Sequence, residues 1–245
     1  MKTLTKYLNE KLIIFPSQVD EKLVIFPSQV DEKLVINKDY KDEQYTCVPK
    51  TFEELRNIIK DKYNKFGPGT KDKPIDFNDV DVSNIDSFYN ENINIGIFQR
   101  FKFEYIDVSD WDVSNIKNMR HTFFLCTGLK FIGDLSNWDV SKVEDMSYMF
   151  FGYEQLKSVR DLSKLNVSKV KDMTSMFESC KQLTSVGDIS NWDVSKVKNM
   201  WGMFYSCKQL KSVGDLSNWN ISKVKYIFNM FKDSGIINIP DWYKE

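Results

Sequence analysis

Histidine is almost missing from this chain: His121 is the only one in 245 residues. One imidazole is a poor start for a metal site, and Cys47, Cys126, Cys180 and Cys207 include no CxxC pair. Neither a zinc site nor a disulfide framework is supported. A cysteine nucleophile would want a histidine partner, yet His121 stands apart from Cys126 across Phe123 and Phe124. Excess charge is missing too. The 34 basic and 35 acidic residues nearly cancel, so there is no global field to draw nucleic acid or an anionic membrane. Long apolar runs are also absent. The amino terminus offers only Leu12, Ile13, Ile14 and Phe15, and nothing approaches the ~18 residues of a membrane span. With no export signal or lipid-attachment cysteine in view, the default expectation is a cytoplasmic protein with no membrane insertion.

What the chain has is apolar and aromatic content, 42% and 14%, ample for a packed core in one large domain or two small ones. That content is periodic. Val113, Val140, Val167, Val194 and Ile221 recur every 27 residues, with a divergent copy at Val82. The same register aligns Trp111, Trp138, Leu165, Trp192 and Trp219. It also aligns Met119, Met146, Met173, Met200 and Ile227, and Phe123, Phe150, Phe177, Phe204 and Phe231. A further column holds Cys126, Tyr153, Cys180, Cys207 and Ser234. Tandem units of this length bury their apolar faces by stacking.

Within one copy, Leu210, Val213 and Leu216 beside Gly214 read as a short strand entering a bend. Val224, Ile227, Met230 and Phe231 follow the spacing of a short helix, with Ser222 placed as its N-cap, and Ser114, Ser141, Ser168 and Ser195 likewise. The block Met176, Phe177, Cys180, Leu183, Val186, followed by the run from Asp188 to Met200, resembles the leucine-rich repeats of BspA-like bacterial surface proteins. The resemblance covers roughly Asp81 to Trp242. It implies an α/β fold, a leucine-rich-repeat-like right-handed solenoid of about five to six strand-turn-helix coils. It also implies display at the cell surface and binding of host or neighbouring-cell macromolecules.

Ahead of the repeats, Lys11–Glu21 recurs as Lys22–Glu32. Pro16 and Pro27 inside that motif argue for short extended segments over a helix. From Thr51 onward, Phe52, Leu55, Ile58, Ile59 and Tyr63 make one apolar face, Thr51 and Glu54 have capping-box spacing, and Gly67 is a stop signal. This predicts a helix that caps the first coil, with the Ile237 to Trp242 segment closing the other end. The expected organisation is residues 1–46 as an amino-terminal segment, 47–80 as capping helix and linker, and 81–245 as the repeats.

The Asp-rich bends, among them Asp134, Asp139, Asp161, Asp188, Asp193 and Asp215, have the composition turns need. They lack the Gly-Gly pattern of calcium-binding turns and recur in every coil, whereas acid–base catalysis needs one special pair. No catalytic, cofactor or metal residue is assigned. The positions that vary between copies are the candidates for function. Trp201 beside Phe228, with Tyr148 and Tyr205 near, are expected partner-binding residues as an aromatic patch, and Phe131, interrupting the column Ser158, Ser185, Ser212, is a further one on the strand side. The reading is a non-enzymatic interaction module for a protein or glycan, with no nucleic acid expected. The alternatives are a calcium-stiffened spacer and a polysaccharide-active enzyme.

Overall fold

A computed structural model describes residues 6–8, 11–13 and 47–244 of the chain. Two units divide at Thr46 and Cys47. In the first, strand β1 (Lys6–Leu8) pairs antiparallel with β2 (Lys11–Ile13), with Tyr7 opposite Leu12. Pro16, Pro27 and the rest of the duplicated motif lie outside the described residues.

The second unit begins with helix α1 (Phe52–Phe66). Thr51 accepts the Glu54 amide at 3.1 Å, and the Glu54 carboxylate takes the Lys50 amide, one residue short of a reciprocal box. Gly67, at φ 72°, returns its amide to Tyr63 and ends the helix. Leu55 and Ile59 are buried, with Phe52, Ile58 and Tyr63 packed beside them. The regular strands that follow are two residues each: β3 (Ile75–Asp76) parallel to β6 (Ile106–Asp107), and β4 (Tyr89–Asn90) antiparallel to β5 (Ile95–Gly96).

From here the fold departs from the expected solenoid of strand-turn-helix coils. Among the described residues α1 is the only helix, and the 27-residue copies are chains of turns. The reason is visible in the backbone. His121, Tyr148, Ser175, Gly202 and Asn229, one per copy and in the middle of each expected helix, have φ between 51° and 62°. A left-handed residue stops a right-handed helix. Amides that a helix would bond internally go to the next copy instead: Met146 donates to Asp172, Tyr148 to Thr174 and Phe150 to Met176. Turns such as Met149 to Met146 and Phe151 to Tyr148 alternate with them. Successive three-residue turns bring apolar side chains back to one face at spacings that imitate a helix. Sequence periodicity alone does not separate the two.

The strand expectation fails similarly, because the copies meet through single parallel bridges. One ladder runs Ser87, Asn118, Asp145, Asp172, Asn199, Tyr226, and another includes Tyr105 with Phe131 and Ser158 with Ser185. The serine N-caps are also corrected. No helix follows Ser141 or Ser195, and their amides donate to Asp139 and Asp193, both at 3.0 Å. Aspartate, two residues earlier, is the side-chain acceptor.

The core is a set of columns. Phe123, Phe150, Phe177, Phe204 and Phe231 stack with centroids 5.3 to 6.0 Å apart and planes within 13°. Such offset aromatic pairs contribute about 0.5–1.5 kcal/mol beyond burial. The tryptophans carry a polar tie. Trp138, Trp192 and Trp219 donate their indole N–H to the carbonyls of Val108, Leu162 and Ile189 in the preceding copy. The Cys180 and Cys207 thiols do the same toward Phe150 and Phe177. Gly214 shows how tightly copies meet: at φ 90°, an added Cβ would lie 1.8 Å from the Asp188 carboxylate.

Candidate interaction surface

The varying positions form three columns beside the Asn118–Tyr226 ladder: Arg120, Ser147, Thr174, Trp201, Phe228; then His121, Tyr148, Ser175, Gly202, Asn229; then Phe124, Phe151, Glu178, Tyr205, Lys232. Helical geometry would turn the first two columns outward throughout. Without the helix, Ser147, Thr174, His121 and Ser175 are buried. Exposure therefore changes along the stack.

In the early copies the aromatic residues satisfy one another. The Arg120 guanidinium lies 5.5 Å from the Tyr89 ring and 5.0 Å from that of Tyr148, and donates to Ser147 Oγ. His121 stacks on Phe124 at 4.4 Å and meets Tyr148 edge-on at 5.2 Å. Its Nδ1 is buried without a partner. Desolvation, with Arg120 adjacent, pulls the imidazole pKa down to about 4. Gly96 lets β5 approach, since a Cβ there would lie 1.8 Å from the His121 carbonyl oxygen. In the middle copies the face is polar. Ser175 Oγ donates to Glu178 at 2.6 Å, and burial raises the carboxyl pKa of Glu178. Burial likewise raises that of Asp145.

In the last two copies apolar rings reach solvent. Trp201 is 38% exposed, Phe228 58% and Tyr226 62%, while Tyr205 is half-buried. The chain beyond Phe231 covers a different part of the end. Trp242 stacks on Trp219 and donates to the Leu216 carbonyl, and Tyr243 sets its edge on Phe231. The backbone next to the rings has no such cover. Met200, Gly202, Phe204 and Ser206 donate their amides to Tyr226, Phe228, Met230 and Lys232. The equivalent amides of Ile227, Asn229, Phe231 and Asp233 have no acceptor among the described residues.

The five residues singled out from sequence fall in three places. Trp201, Tyr205 and Phe228 lie together on the last two copies. Tyr148 belongs to the Arg120–His121 cluster, and Phe131 sits half-buried on the other ladder, bridged to Tyr105. Tyr226 was missed. Its column holds Asn118, Asp145, Asp172 and Asn199, each of which accepts the amide two residues on. A tyrosine cannot do this from that position, so its replacement of an Asn or Asp was a legible signal.

Charge follows the same gradient. Lys130 pairs with Glu104, Lys171 with Glu144 and Lys181 with Glu154, each across neighbouring copies. The next rungs, Lys198, Lys225 and Lys208, have no ion pair among the described residues. From residue 196 to 232 there are seven lysines and one carboxylate, Asp215.

A family model described as Mycoplasma protein of unknown function, DUF285, matches residues 92–187 and again 154–242, together more than half of the chain. The chain belongs to this family. The second DUF285 match includes Trp201, Tyr205, Tyr226 and Phe228. No curated protein matches the chain, and no solved structure does. Among the described residues of this DUF285 protein no group of three or more His, Cys, Asp or Glu is arranged to hold a metal ion. Instead, the Asp134, Asp161, Asp188 and Asp215 carboxylates take the amide two residues on, and these bonds with the following serines hold their pKa values below the usual range. The Cys126 thiol is pushed up to about 12 by burial, far from a reactive thiolate. No helix among the described residues is long and apolar enough to cross a membrane.

Proposed function

We propose that this protein is a non-enzymatic binding module that captures another protein on the face formed by Trp201, Tyr205, Tyr226 and Phe228. The observation that carries the reading is the gradient along the stack. The columns that are buried or self-satisfied in the early copies carry large exposed rings in the last two. Exposed aromatic clusters are costly in water and are the side chains that dominate binding energy at interfaces. Replacing Trp201 and Phe228 together by Ala is expected to abolish partner capture by cross-linking from the native cell extract while leaving the melting curve nearly unchanged. Loss of the folded state in that variant would make the two rings core residues and overturn the reading.

A further inference from the structure

Resting on that reading, we infer that the partner presents an acidic, extended polypeptide segment, which adds to the last copy by accepting hydrogen bonds from the Ile227, Asn229, Phe231 and Asp233 amides. Three observations converge on this occupant.

The first is the row of donors itself. In each earlier copy the corresponding amides are met by carbonyls of a polypeptide backbone one repeat further on, as Gly202 is met by Phe228 at 3.1 Å and Phe204 by Met230 at 2.9 Å. The donor spacing of the last copy is therefore one that a polypeptide satisfies, which favours a protein segment over a nucleic acid. Strand addition to an open edge draws affinity from main-chain bonds and specificity from side-chain contacts. The second is polarity. Among the described residues this end offers four amides against one open ladder carbonyl, that of Lys225, and the carbonyls Gly96, Ile97 and Gln99 near the beginning of the stack are already held by the Arg56 guanidinium at 2.7 to 2.8 Å. Among the described residues those three carbonyls are therefore not open for a second copy of the chain to offer.

The third is charge. Lys198 and Lys225 continue a column in which Lys171 is neutralised by Glu144, but their own rungs bring no carboxylate. Tyr226 and Trp201 follow these lysines closely in sequence, so an arriving segment meets exposed rings on copies whose lysines have no ion pair among the described residues. Two carboxylates lie near this face, Glu178, one copy back and tied to Ser175, and the exposed Asp233 at the end of the donor row, against the lysines at 198, 208, 225 and 232. Complementary charge raises the encounter rate and rejects basic competitors.

The test titrates the full chain with fluorescein-labelled twelve-residue peptides of alternating Glu and Val, and of alternating Lys and Val, beside a twelve-nucleotide thymidine strand. The expected result is saturable binding of the Glu peptide, about tenfold or more tighter than the Lys peptide and weakened by salt. Hydrogen–deuterium exchange should slow in residues 226–233 when the Glu peptide is added. The double variant Lys198→Glu, Lys225→Glu should lose that binding and keep its fold by circular dichroism. Binding of the Glu peptide without protection of 226–233 would overturn the pairing, and binding of the thymidine strand alone would assign the face to nucleic acid. If neither peptide binds while cross-linked capture still depends on Trp201 and Phe228, the acidic-segment inference falls and the interaction surface stands. If both fail, both fall.

Discussion

At the start of the repeats, one cation holds three backbone carbonyls: Arg56 reaches from α1 to Gly96, Ile97 and Gln99 while its guanidinium rests 4.9 Å from the Phe101 ring. At the last repeat, the amides of Ile227, Asn229, Phe231 and Asp233 have no acceptor among the described residues, and the rings of Tyr226 and Phe228 stand in solvent beside them. The difference follows from parallel bridging. Beside this ladder each copy sends four amides forward, as at Met200, Gly202, Phe204 and Ser206, and one back, as from Lys225 to Lys198, so donors predominate at the last copy and the two ends need different chemistry. A five-donor guanidinium meets the need at the first end. The second end carries lysines, which are donors themselves, and its requirement is left for something else to meet.

The comparison can be broken most severely in the middle of the stack, where both ends depend on the core. Trp192→Ala is expected to cost about 3–5 kcal/mol in chemical denaturation, as for other buried aromatics, and to leave the Leu162 carbonyl with the Leu165 amide alone as donor. A cost under 1 kcal/mol would show that the copies do not depend on this column. Arg56→Ala should come next, at about 2–3 kcal/mol, because it strands buried carbonyls from a charged donor. Its effect should appear as faster exchange in residues 96–99, not at the last copy.

Acid should separate the regions in a defined order. His121 has a folded-state pKa of about 4 against a usual 6.5, so its contribution to stability is complete above pH 6.5 and is lost as pH falls toward 4. Asp134, Asp161, Asp188 and Asp215 are depressed below 3.8, so their contribution is complete above that value and disappears at still lower pH. Melting temperature should therefore decline first between pH 6.5 and 4. His121→Asn, which tolerates the left-handed backbone, should flatten that first decline and leave the second. The smallest stability effect belongs to the exposed end. Trp201→Ala with Phe228→Ala should shift unfolding by less than about 1 kcal/mol, measured by the same denaturation.

Much of the stack was legible in the 27-residue register. Fixed Trp, Met and Phe positions had to meet equivalent neighbours, and they are the buried columns. Helix α1 was legible because its cap, face and stop agreed. The copies themselves were misread because tight turns and helices share a three-residue return, and nothing in His121, Tyr148 or Ser175 advertises a left-handed backbone as clearly as Gly202 does. The exposed rings of Trp201 and Phe228 were legible as changes of residue type within a column. Sequence columns do not reveal that Arg120 fills the space beside Tyr148. The open amide row follows from bonding direction, which only the fold supplies.

Residue-resolved amide exchange on the free full-length protein tests the contrast between the ends most directly. The account predicts slow exchange at Met200, Gly202 and Phe204, whose amides donate to the following copy, and fast exchange at Ile227, Asn229 and Asp233, whose amides do not. Equal protection of the two sets without any partner would contradict it.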